Sequence, residues 1–325
     1  MPLNITVAGL GPIGASLGLA LGTLDPQVLD VGRPVVTGWD RDRRVLADAR
    51  GRLAVDQAQS DLATAVREAD VVIVTVPHEE IRDVFATIGR VLKAGAIVTD
   101  TASTKTQVLR WASELLPTTV DFVGGHPLVS IENPGREALE GSIYCLVPLP
   151  RTGRVALDGV EALVRAVGCK PYYIDAGEHD AYVAAAAHLP LAVSIALMHT
   201  VSQGGGWREV QPIAGEALLR MTELAGADPG TNAEMLAANR EALEGWLDRA
   251  ATALMELRAR LHDPAALRAL LADAAEARDG WLHSNPNVRP GEDAFHGNTS
   301  ELTATSGISS LFFGRRPPRD RGKRR

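Results

Sequence analysis

The chain has 325 residues, of which 46% are hydrophobic and 22% are charged, and this length is enough for two domains with separate cores. Its net charge of −7 argues against a general nucleic-acid binder, which needs a basic face to displace counterions from phosphates. Two cysteines, Cys145 and Cys169, are too few for a disulfide framework and favour a reducing, cytoplasmic location.

The first elements in the chain are a predicted strand and a predicted helix, joined by glycines. The run GLGPIGASLG follows five residues of strand character, and a helix is predicted over residues 15–24. The N-terminus lacks the basic region and the cleavage site of a secretory signal. No run reaches the roughly 18 to 20 apolar residues that span a bilayer, so no membrane contact is expected.

Short apolar strands then alternate with helical patterns as far as about residue 175. The strand-like runs are LNITVAGL, PVVTGWD, DVVIVTVP, AIVTDTA, VDFVGG, SIYCLVPL and KPYYID. Between them, one amphipathic helix is predicted whose apolar face consists of Ile81, Val84, Phe85, Ile88, Val91 and Leu92. This rhythm predicts βαβ units and a largely parallel sheet, so residues 1–175 are assigned to a Rossmann-type α/β domain.

The rest of the chain is predicted to be helical. Residues 176–284 carry almost no strand signal and are rich in Ala, Leu, Glu and Arg. Pro190 is expected to kink or break its helix, and Asp263 with Pro264 forms an N-cap pair for the last helix. The block has more apolar faces than one small bundle needs, so a homodimer through this domain is expected. Residues 285–325 are interpreted as a mobile tail.

The glycine run has the context of a dinucleotide fingerprint. Gly9 allows a tight turn, Gly11 lets backbone N–H groups approach a pyrophosphate, and Gly14 lets the helix pack closely on the strand. Asp40 ends the second predicted strand, where a carboxylate binds ribose hydroxyls and repels a 2′-phosphate, which favours NAD. The arginines in WDRDRR keep NADP possible. The predicted cofactor contacts are Gly9, Gly11, Pro12, Ile13, Gly14, Asp40, Arg41, Val76, Pro77 and Thr101.

His126 is the candidate catalytic base. Oxidation of an alcohol by a nicotinamide cofactor needs a group that takes the hydroxyl proton, and histidine suits this task near neutral pH. His126 follows two glycines at the carboxyl end of a predicted strand, where ligands bind in this fold. The glycines are expected to clear space for the nicotinamide and the substrate. Ser103, at the end of the preceding strand, either orients the histidine or the substrate, or caps the next helix.

Six motifs together resemble prephenate and arogenate dehydrogenases, the enzymes of tyrosine biosynthesis. They are GLGPIGASLG, VTDTASTK, GGHPL, HDAYVAAAAHLP, GGGWREVQPIA and LAANREAL, in the family's order, from about residue 3 to residue 260. The resemblance implies a Rossmann domain followed by a helical dimerisation domain, with the active site between them. It also implies an oxidative decarboxylation, in which a cyclohexadienol gives a hydride to NAD(P)+ and loses carbon dioxide as its ring becomes aromatic.

The resemblance also implies roles for individual residues. His126 would accept the hydroxyl proton, Ser103 would orient it, and His188 would face the substrate from the helical domain. His179 and Asp180 match a family motif as well, although helix capping is an adequate interpretation of Asp180. No metal site is expected.

One position departs from the family pattern. In the family, the segment after the glycine triplet ends in an arginine that pairs with the ring carboxylate, and GGGWREVQPIA has Pro212 there. Loss of such a contact is expected to cost ~2–5 kcal/mol of binding unless another group replaces it. Arg208 and Gln211 are the predicted substrate-binding replacements, with Arg220 and Arg240 as further candidates.

Several interpretations stay open at this point. The first is a prephenate or arogenate dehydrogenase, and the second is a relative that acts on an altered substrate, such as an amino-substituted prephenate analogue. The third is a sensor that binds NAD(P) without turnover. A lysine-dependent β-hydroxyacid dehydrogenase or imine reductase is disfavoured, because no lysine occurs between Lys170 and Lys323. Ser130, in HPLVS, is a milder departure from the family that is expected to narrow or repolarise the pocket.

Overall fold

The computed structural model of the chain describes residues 2–24, 32–129, 131 and 133–284. The predictions for Ser130 and for residues 285–325 concern positions outside the described residues. Within the described part, a sheet with flanking helices is followed by a purely helical unit, so the predicted fold class is confirmed.

The sheet is built from short apolar segments. Its strands are β1 (Asn4–Ala8), β2 (Val35–Trp39), β3 (Gln57–Ala58), β4 (Val71–Val74), β5 (Ile97–Asp100), β6 (Asp121–Pro127), β7 (Ile143–Pro148) and β8 (Lys170–Tyr173). Their order is β3-β2-β1-β4-β5-β6-β7-β8, and all neighbouring pairs are parallel except β6 with β7. The described residues between β6 and β7 form turns and no crossover helix, so β7 returns antiparallel. The sequence did not predict β3, because two residues are too few to show a period.

Helices cover both faces of this sheet. They are α1 (Pro12–Gly22), α2 (Arg43–Gly51), α3 (Leu62–Val66), α4 (Ile81–Ile88), α5 (Thr106–Leu115) and α6 (Arg154–Ala166). One core cluster joins α1, α2 and α6 to the sheet, and a second cluster joins α3, α4 and α5 to its other face. The predicted helix over residues 81–92 is shorter than expected: it ends at Ile88, and Val91 and Leu92 pack against the second cluster from the following turn.

The glycine turn between β1 and α1 is tightly packed on one side and open on the other. Gly9 has φ +100°, and a Cβ on it would lie 2.6 Å from the carbonyl carbon of Thr75. A Cβ on Gly14 would overlap the carbonyl oxygen of Gly9, whereas a Cβ on Gly11 would meet no atom within 4 Å. The helix begins at Pro12, three residues earlier than predicted, because proline suits the first helical position.

The second half of the described chain is helical, as predicted. Its helices are α7 (Ala176–Val183), α8 (Leu189–Gln203), α9 (Trp207–Val210), α10 (Glu216–Met221), α11 (Pro229–Ala238), α12 (Arg240–Arg260) and α13 (Pro264–Ser284). A wider, π-type turn at Ala184–His188 joins α7 to α8, so Pro190 does not break the helix. Proline lacks an N–H and crowds the preceding turn, and a widened turn accommodates both effects. Asp263 caps α13 as predicted, with Oδ1 accepting from the N–H of Ala265 at 3.0 Å.

The continuous helical run Ala176–Gln203 is long and apolar enough to pass a test for a membrane span on length and composition alone. The prediction that no run reaches this length is wrong for this segment, because the helix continues through Pro190. Core helices pass the same test, and this helix buries four polar side chains, those of His179, Asp180, His188 and Ser194. We interpret it as the central helix of the second domain.

The close packing at Gly14 makes the turn sensitive to a single methyl group. We expect Gly14→Ala to lower the free energy of unfolding by about 1–3 kcal/mol, because the new Cβ forces α1 away from β1. Urea unfolding of the purified variants measures this difference. Gly51→Ala, at the open end of α2, is the matched control and should stay within about 0.5 kcal/mol of the wild type. Equal stability of both variants would contradict the packing described here.

Candidate active site

One large cleft runs between the carboxyl edge of the sheet and the helical domain. Its volume is about 1540 Å³, more than the roughly 300–1,000 Å³ that a single small ligand occupies. The glycine turn and Asp40 line it beside β1 and β2, and His126, His179 and His188 line it farther along the sheet. The cleft therefore has room for a dinucleotide and a small substrate together.

The predicted cofactor contacts gather at the β1–β2 end and along the sheet edge. Residues of that set that line the cleft are Gly9, Gly11, Pro12, Ile13, Asp40, Arg41, Val76, Pro77 and Thr101, while Gly14 lies buried behind the turn. The open space at Gly11 leaves the N-terminus of α1 accessible, as a pyrophosphate site requires. These residues fit a dinucleotide.

Asp40 is held in place by the backbone on both sides. Its Oδ2 accepts from the N–H of Leu10 at 2.7 Å, and its Oδ1 accepts from the N–H of Asp42 at 2.8 Å. The neighbouring Arg41 forms an ion pair with Glu80 at 2.8 Å. A fixed negative charge therefore stands where β2 ends, and the adjacent arginine is engaged elsewhere.

A chain of two imidazoles and one carboxylate forms the centre of the site. Nδ1 of His126 lies 2.9 Å from Nε2 of His179, and Nδ1 of His179 lies 2.8 Å from Oδ1 of Asp180. His126 is the penultimate residue of β6 and is half-buried, whereas His179 is almost fully buried in α7. The sequence predicted His126 at this edge but not its contact with His179, which lies 53 residues away.

The carboxylate fixes which nitrogens carry protons in this chain. An ionised carboxylate only accepts, so Nδ1 of His179 donates to Asp180. With both rings neutral, Nε2 of His179 then accepts from Nδ1–H of His126, which leaves a lone pair on Nε2 of His126. Burial, followed by the nearby His179 and Lys105, lowers the pKa of His126 well below its usual value, so this ring is neutral at physiological pH.

Asp180 also joins the two domains. Its Oδ1 accepts from the N–H of Lys105 at 2.7 Å and its Oδ2 accepts from the N–H of Thr106 at 2.8 Å, at the start of α5. Burial raises the pKa of Asp180, but these bonds and the one from His179 outweigh it and lower the pKa to about 2. The interpretation of Asp180 as a cap of its own helix is wrong, because Asp175 caps that helix. Asp180 instead accepts from the first N–H groups of α5.

A buried ion pair supports the strand ends beneath the histidines. Lys105 and Asp100 are fully buried and paired, and Nζ of Lys105 also donates to the carbonyl of Gly125 at 2.6 Å. A Cβ on Gly125 would overlap the carbonyl oxygen of Asp100, and one on Gly124 would lie 2.8 Å from a methyl of Leu109. The expectation that these two glycines clear space for the nicotinamide and substrate is therefore wrong. They make room for the neighbouring strand end and α5.

His188 enters the cleft from the π-type turn, as the resemblance implied. The ring is fully buried, and burial lowers its pKa. Its Nδ1 lies 3.1 Å from the side-chain nitrogen of Asn239, which also donates to the carbonyl of Asp180 at 2.7 Å. Its Nε2 is buried and has no hydrogen-bond partner within the described chain.

Ser103 lines the cleft. The suggestion that it caps the next helix is wrong, because α5 begins at Thr106, whose N–H donates to Asp180.

Arg208 and Gln211 do not line the cleft. They are exposed on α9 and the following 3₁₀ turn. Of the further candidates, Arg220 pairs with Glu216 at 2.5 Å and Arg240 lies 3.7 Å from Glu244. None of the residues suggested as replacements for the family's arginine therefore lines the cleft.

The substrate end of the cleft carries no arginine or lysine on its described surface. The only arginines among the described lining residues are Arg41 and Arg43, both next to Asp40, and no lysine lines it. Burial lowers the pKa of His78, a further lining histidine that stacks on Trp111 with ring centroids 5.2 Å apart. No group of three or more potential metal ligands occurs within the part of the chain that the structure describes.

Sequence reasoning missed two lining or supporting residues. His78 lies four residues past the end of β4, and the rule that singled out His126, a polar side chain at the carboxyl end of a buried strand, would have found it. Asn239 had no such signal, because its partners His188 and Asp180 lie 51 and 59 residues away.

Two family models match the chain. The model described as prephenate dehydrogenase, nucleotide-binding domain, matches residues 30–173, and the one described as prephenate dehydrogenase, dimerization domain, matches residues 175–271. Together they match well over half of the chain. The first match begins after the glycine turn, so the turn is an independent observation.

Individual relatives agree with these models. A prephenate dehydrogenase of Bacillus subtilis is 26% identical over 253 residues, which are 76% of this chain and 66% of that protein, so the chain spans about two thirds of its length. A cyclohexadienyl dehydrogenase of Zymomonas mobilis is 28% identical over 263 residues, 78% of this chain and 87% of that protein. The crystal structure of Synechocystis arogenate dehydrogenase superposes with a TM-score of 0.73 at 27% identity, covering 86% of this chain and all of that one.

The depressed pKa of Asp180 predicts a pH-dependent contribution to stability. We expect Asp180→Asn to lose about 2–3 kcal/mol of unfolding free energy at pH 7, because hydrogen bonds to a charged group are lost. The folded pKa of about 2 lies below the ordinary value of 3.8 for an aspartate, so this contribution is complete above pH 4 and declines as the pH falls towards 2. Urea unfolding between pH 3 and 7 measures it. A difference that does not change with pH would contradict the assignment.

Proposed function

The chain belongs to the prephenate dehydrogenase family of NAD-dependent oxidoreductases, and we propose that it catalyses the oxidative decarboxylation of prephenate or arogenate in tyrosine biosynthesis. The observation that carries the proposal is the chain from Asp180 through His179 to His126, which ends in an unprotonated nitrogen in a cleft beside a dinucleotide cradle. The two family models and the relatives named as prephenate, arogenate and cyclohexadienyl dehydrogenases support it.

In this proposal His126 is the general base. Its Nε2 accepts the proton of the ring hydroxyl, and the positive charge that develops on its ring is shared with His179 through the 2.9 Å contact. The carboxylate of Asp180 stabilises that charge, because it accepts from Nδ1 of His179. Ser103, on the wall of the same cleft, orients the hydroxyl. The lowered pKa of His126 keeps the base unprotonated before each turnover.

The cofactor supplies the hydride acceptor when it is bound. Gly11 and the N-terminus of α1 would hold its pyrophosphate, and Asp40 would bind the adenosine ribose. We propose NAD over NADP, because Asp40 is fixed by two backbone N–H groups and would repel a 2′-phosphate. The ion pair of Arg41 with Glu80 directs that arginine away from such a phosphate.

The lack of arginine and lysine at the described substrate end of the cleft favours a second candidate as well. A substrate with two carboxylates would meet no arginine or lysine on the described wall beyond Arg41 and Arg43. This observation and Pro212 favour a substrate whose ring carboxylate is bound by neutral donors, so a related dehydrogenase for an altered cyclohexadienol is the alternative. Prephenate, arogenate and an amino-substituted analogue assayed in parallel separate the two.

We also propose a homodimer that forms through the helical domain in the cytoplasm. Large apolar side chains stay exposed on the described helices, among them Leu219, Met221, Leu254, Met255, Leu271 and Trp281, and a second copy would cover them. Both cysteines are free and buried, which is compatible with a reducing compartment.

The role of His126 is tested by its replacement. We expect His126→Asn to lower kcat for reduction of NAD+ by about 10²- to 10⁴-fold, because the general base is lost, while NAD+ binding measured by calorimetry stays within a factor of a few. His262→Asn, an exposed histidine outside the cleft, is the matched control and should keep wild-type turnover. Cofactor binding by the wild type without turnover of any of the three substrates would reject the enzyme and support the sensor.

The role of Asp40 is tested by cofactor preference. The wild type should use NAD+ with the higher kcat/KM, and Asp40→Asn should shift the ratio of the NAD+ and NADP+ values towards NADP+ by about 10- to 100-fold, because a fixed charge beside the 2′-position is removed. Asp48→Asn removes the same charge from the exposed face of α2 and should leave the ratio unchanged. A wild type that prefers NADP+ would overturn the choice of cofactor.

A further inference from the structure

His188 presents a buried polar atom that the fold itself leaves unpaired. The ring is fully buried and lines the cleft, and its Nε2 makes no hydrogen bond within the described chain. Buried polar atoms are nearly always satisfied, and a specific exception calls for an explanation. Its location on the cleft wall, near His126, suggests that a ligand provides the missing partner.

The other nitrogen of the ring shows which proton His188 carries. The amide of Asn239 lies 2.7 Å from the carbonyl oxygen of Asp180, and a carbonyl oxygen only accepts, so the nearer amide atom is the nitrogen. The same nitrogen lies 3.1 Å from Nδ1 of His188. Nδ1 therefore accepts, and in the neutral ring the proton is on Nε2.

We propose that Asn239 is a positioning residue that holds His188 as its Nε2–H tautomer, so that the ring presents a neutral hydrogen-bond donor to an oxygen atom of the substrate. The part of this inference that concerns substrate rests on the proposed function. The tautomer itself does not.

The place of Asn239 in the fold suits this role. It is buried at the junction where α11 ends and α12 begins, so the backbone on both sides is held by helices. Through the carbonyl of Asp180 it is tied to the same residue whose carboxylate binds His179 and the start of α5. Asn239 thus fixes the position of the Nε2–H donor of His188 relative to His126, the histidine that accepts the proton.

A neutral donor also suits this particular cleft. No lysine lines it, and its lining arginines within the described chain stand beside Asp40. Burial lowers the pKa of His188, so the ring does not become a cation there at neutral pH. The contact with a substrate oxygen is therefore a hydrogen bond whose donor depends on the tautomer, and the tautomer depends on Asn239.

A double-mutant cycle tests whether Asn239 acts through His188. His188→Asn keeps an acceptor near the place of Nδ1 but removes the Nε2–H donor. Asn239→Ala should lower kcat/KM about 10- to 100-fold in the wild-type background, mainly through KM, and less than about 3-fold in the His188→Asn background. Ser194→Ala is the control, because it removes a part-buried hydrogen bond of the same domain, in which Oγ of Ser194 accepts from the N–H of Ala225, and neither residue lines the cleft. Equal losses from Asn239→Ala in both backgrounds would overturn the proposal.

A spectroscopic measurement tests the tautomer without activity. The ¹⁵N imidazole signals of His188, assigned by their loss in His188→Asn, should report a protonated Nε2 and an unprotonated Nδ1 in the wild type, and a mixture of tautomers in Asn239→Ala. A protonated Nδ1 in the wild type would overturn the proposal whether or not the protein is active. A protein with the expected spectrum but no turnover of any cyclohexadienol would instead reject the proposed function and leave the tautomer assignment standing.

Discussion

The carboxylate of Asp180 is the point on which both domains and the reactive histidine depend. It accepts from the backbone of Lys105 and Thr106 in the nucleotide-binding domain and from His179 in its own helix. A buried charge is costly unless it is well paired, and here three donors satisfy it. The same bonds that lower its pKa therefore hold α5 against α7 and fix the proton on His179.

The chemistry at His126 is set by its surroundings more than by the imidazole itself. Burial and the nearby Lys105 oppose a positive charge on this ring, so it rests in the neutral form that a base requires. A base with a low pKa is weak, and the carboxylate of Asp180, whose charge raises the pKa of His126, offsets part of this weakness in the proposed reaction. Lys105 remains buried against Asp100, so it acts on His126 through its field and through the carbonyl of Gly125, without entering the cleft.

How far the sequence predicts this molecule depends on the range of the interaction. The sheet, the glycine turn and the position of His126 follow from local patterns, because strand runs, turn glycines and strand ends are written in adjacent residues. The helical domain followed from composition, but the continuation of its helix through Pro190 did not, since it depends on a π-type turn of four alanines and His188. The pairing of His126 with His179, and of Asp180 with α5, joins residues more than fifty positions apart, and no local pattern encodes it. Arg208 and Gln211 were predicted at the site because they lie near Pro212 in a motif that resembles the family's. The fold exposes both side chains instead.

The absence of an arginine at Pro212 changes what the described cleft can recognise. A guanidinium binds a carboxylate by charge as well as by geometry, and it tolerates some misplacement because Coulomb attraction falls off slowly. A neutral N–H donor has no such range, so its position and its tautomer must be right before the substrate arrives. The fold supplies both conditions at His188, because the ring is held within a buried turn and the side-chain amide of Asn239 binds its Nδ1. In the proposed function, specificity at His188 is a property of hydrogen-bond direction, and the side chains that maintain this direction matter as much as those that touch the substrate.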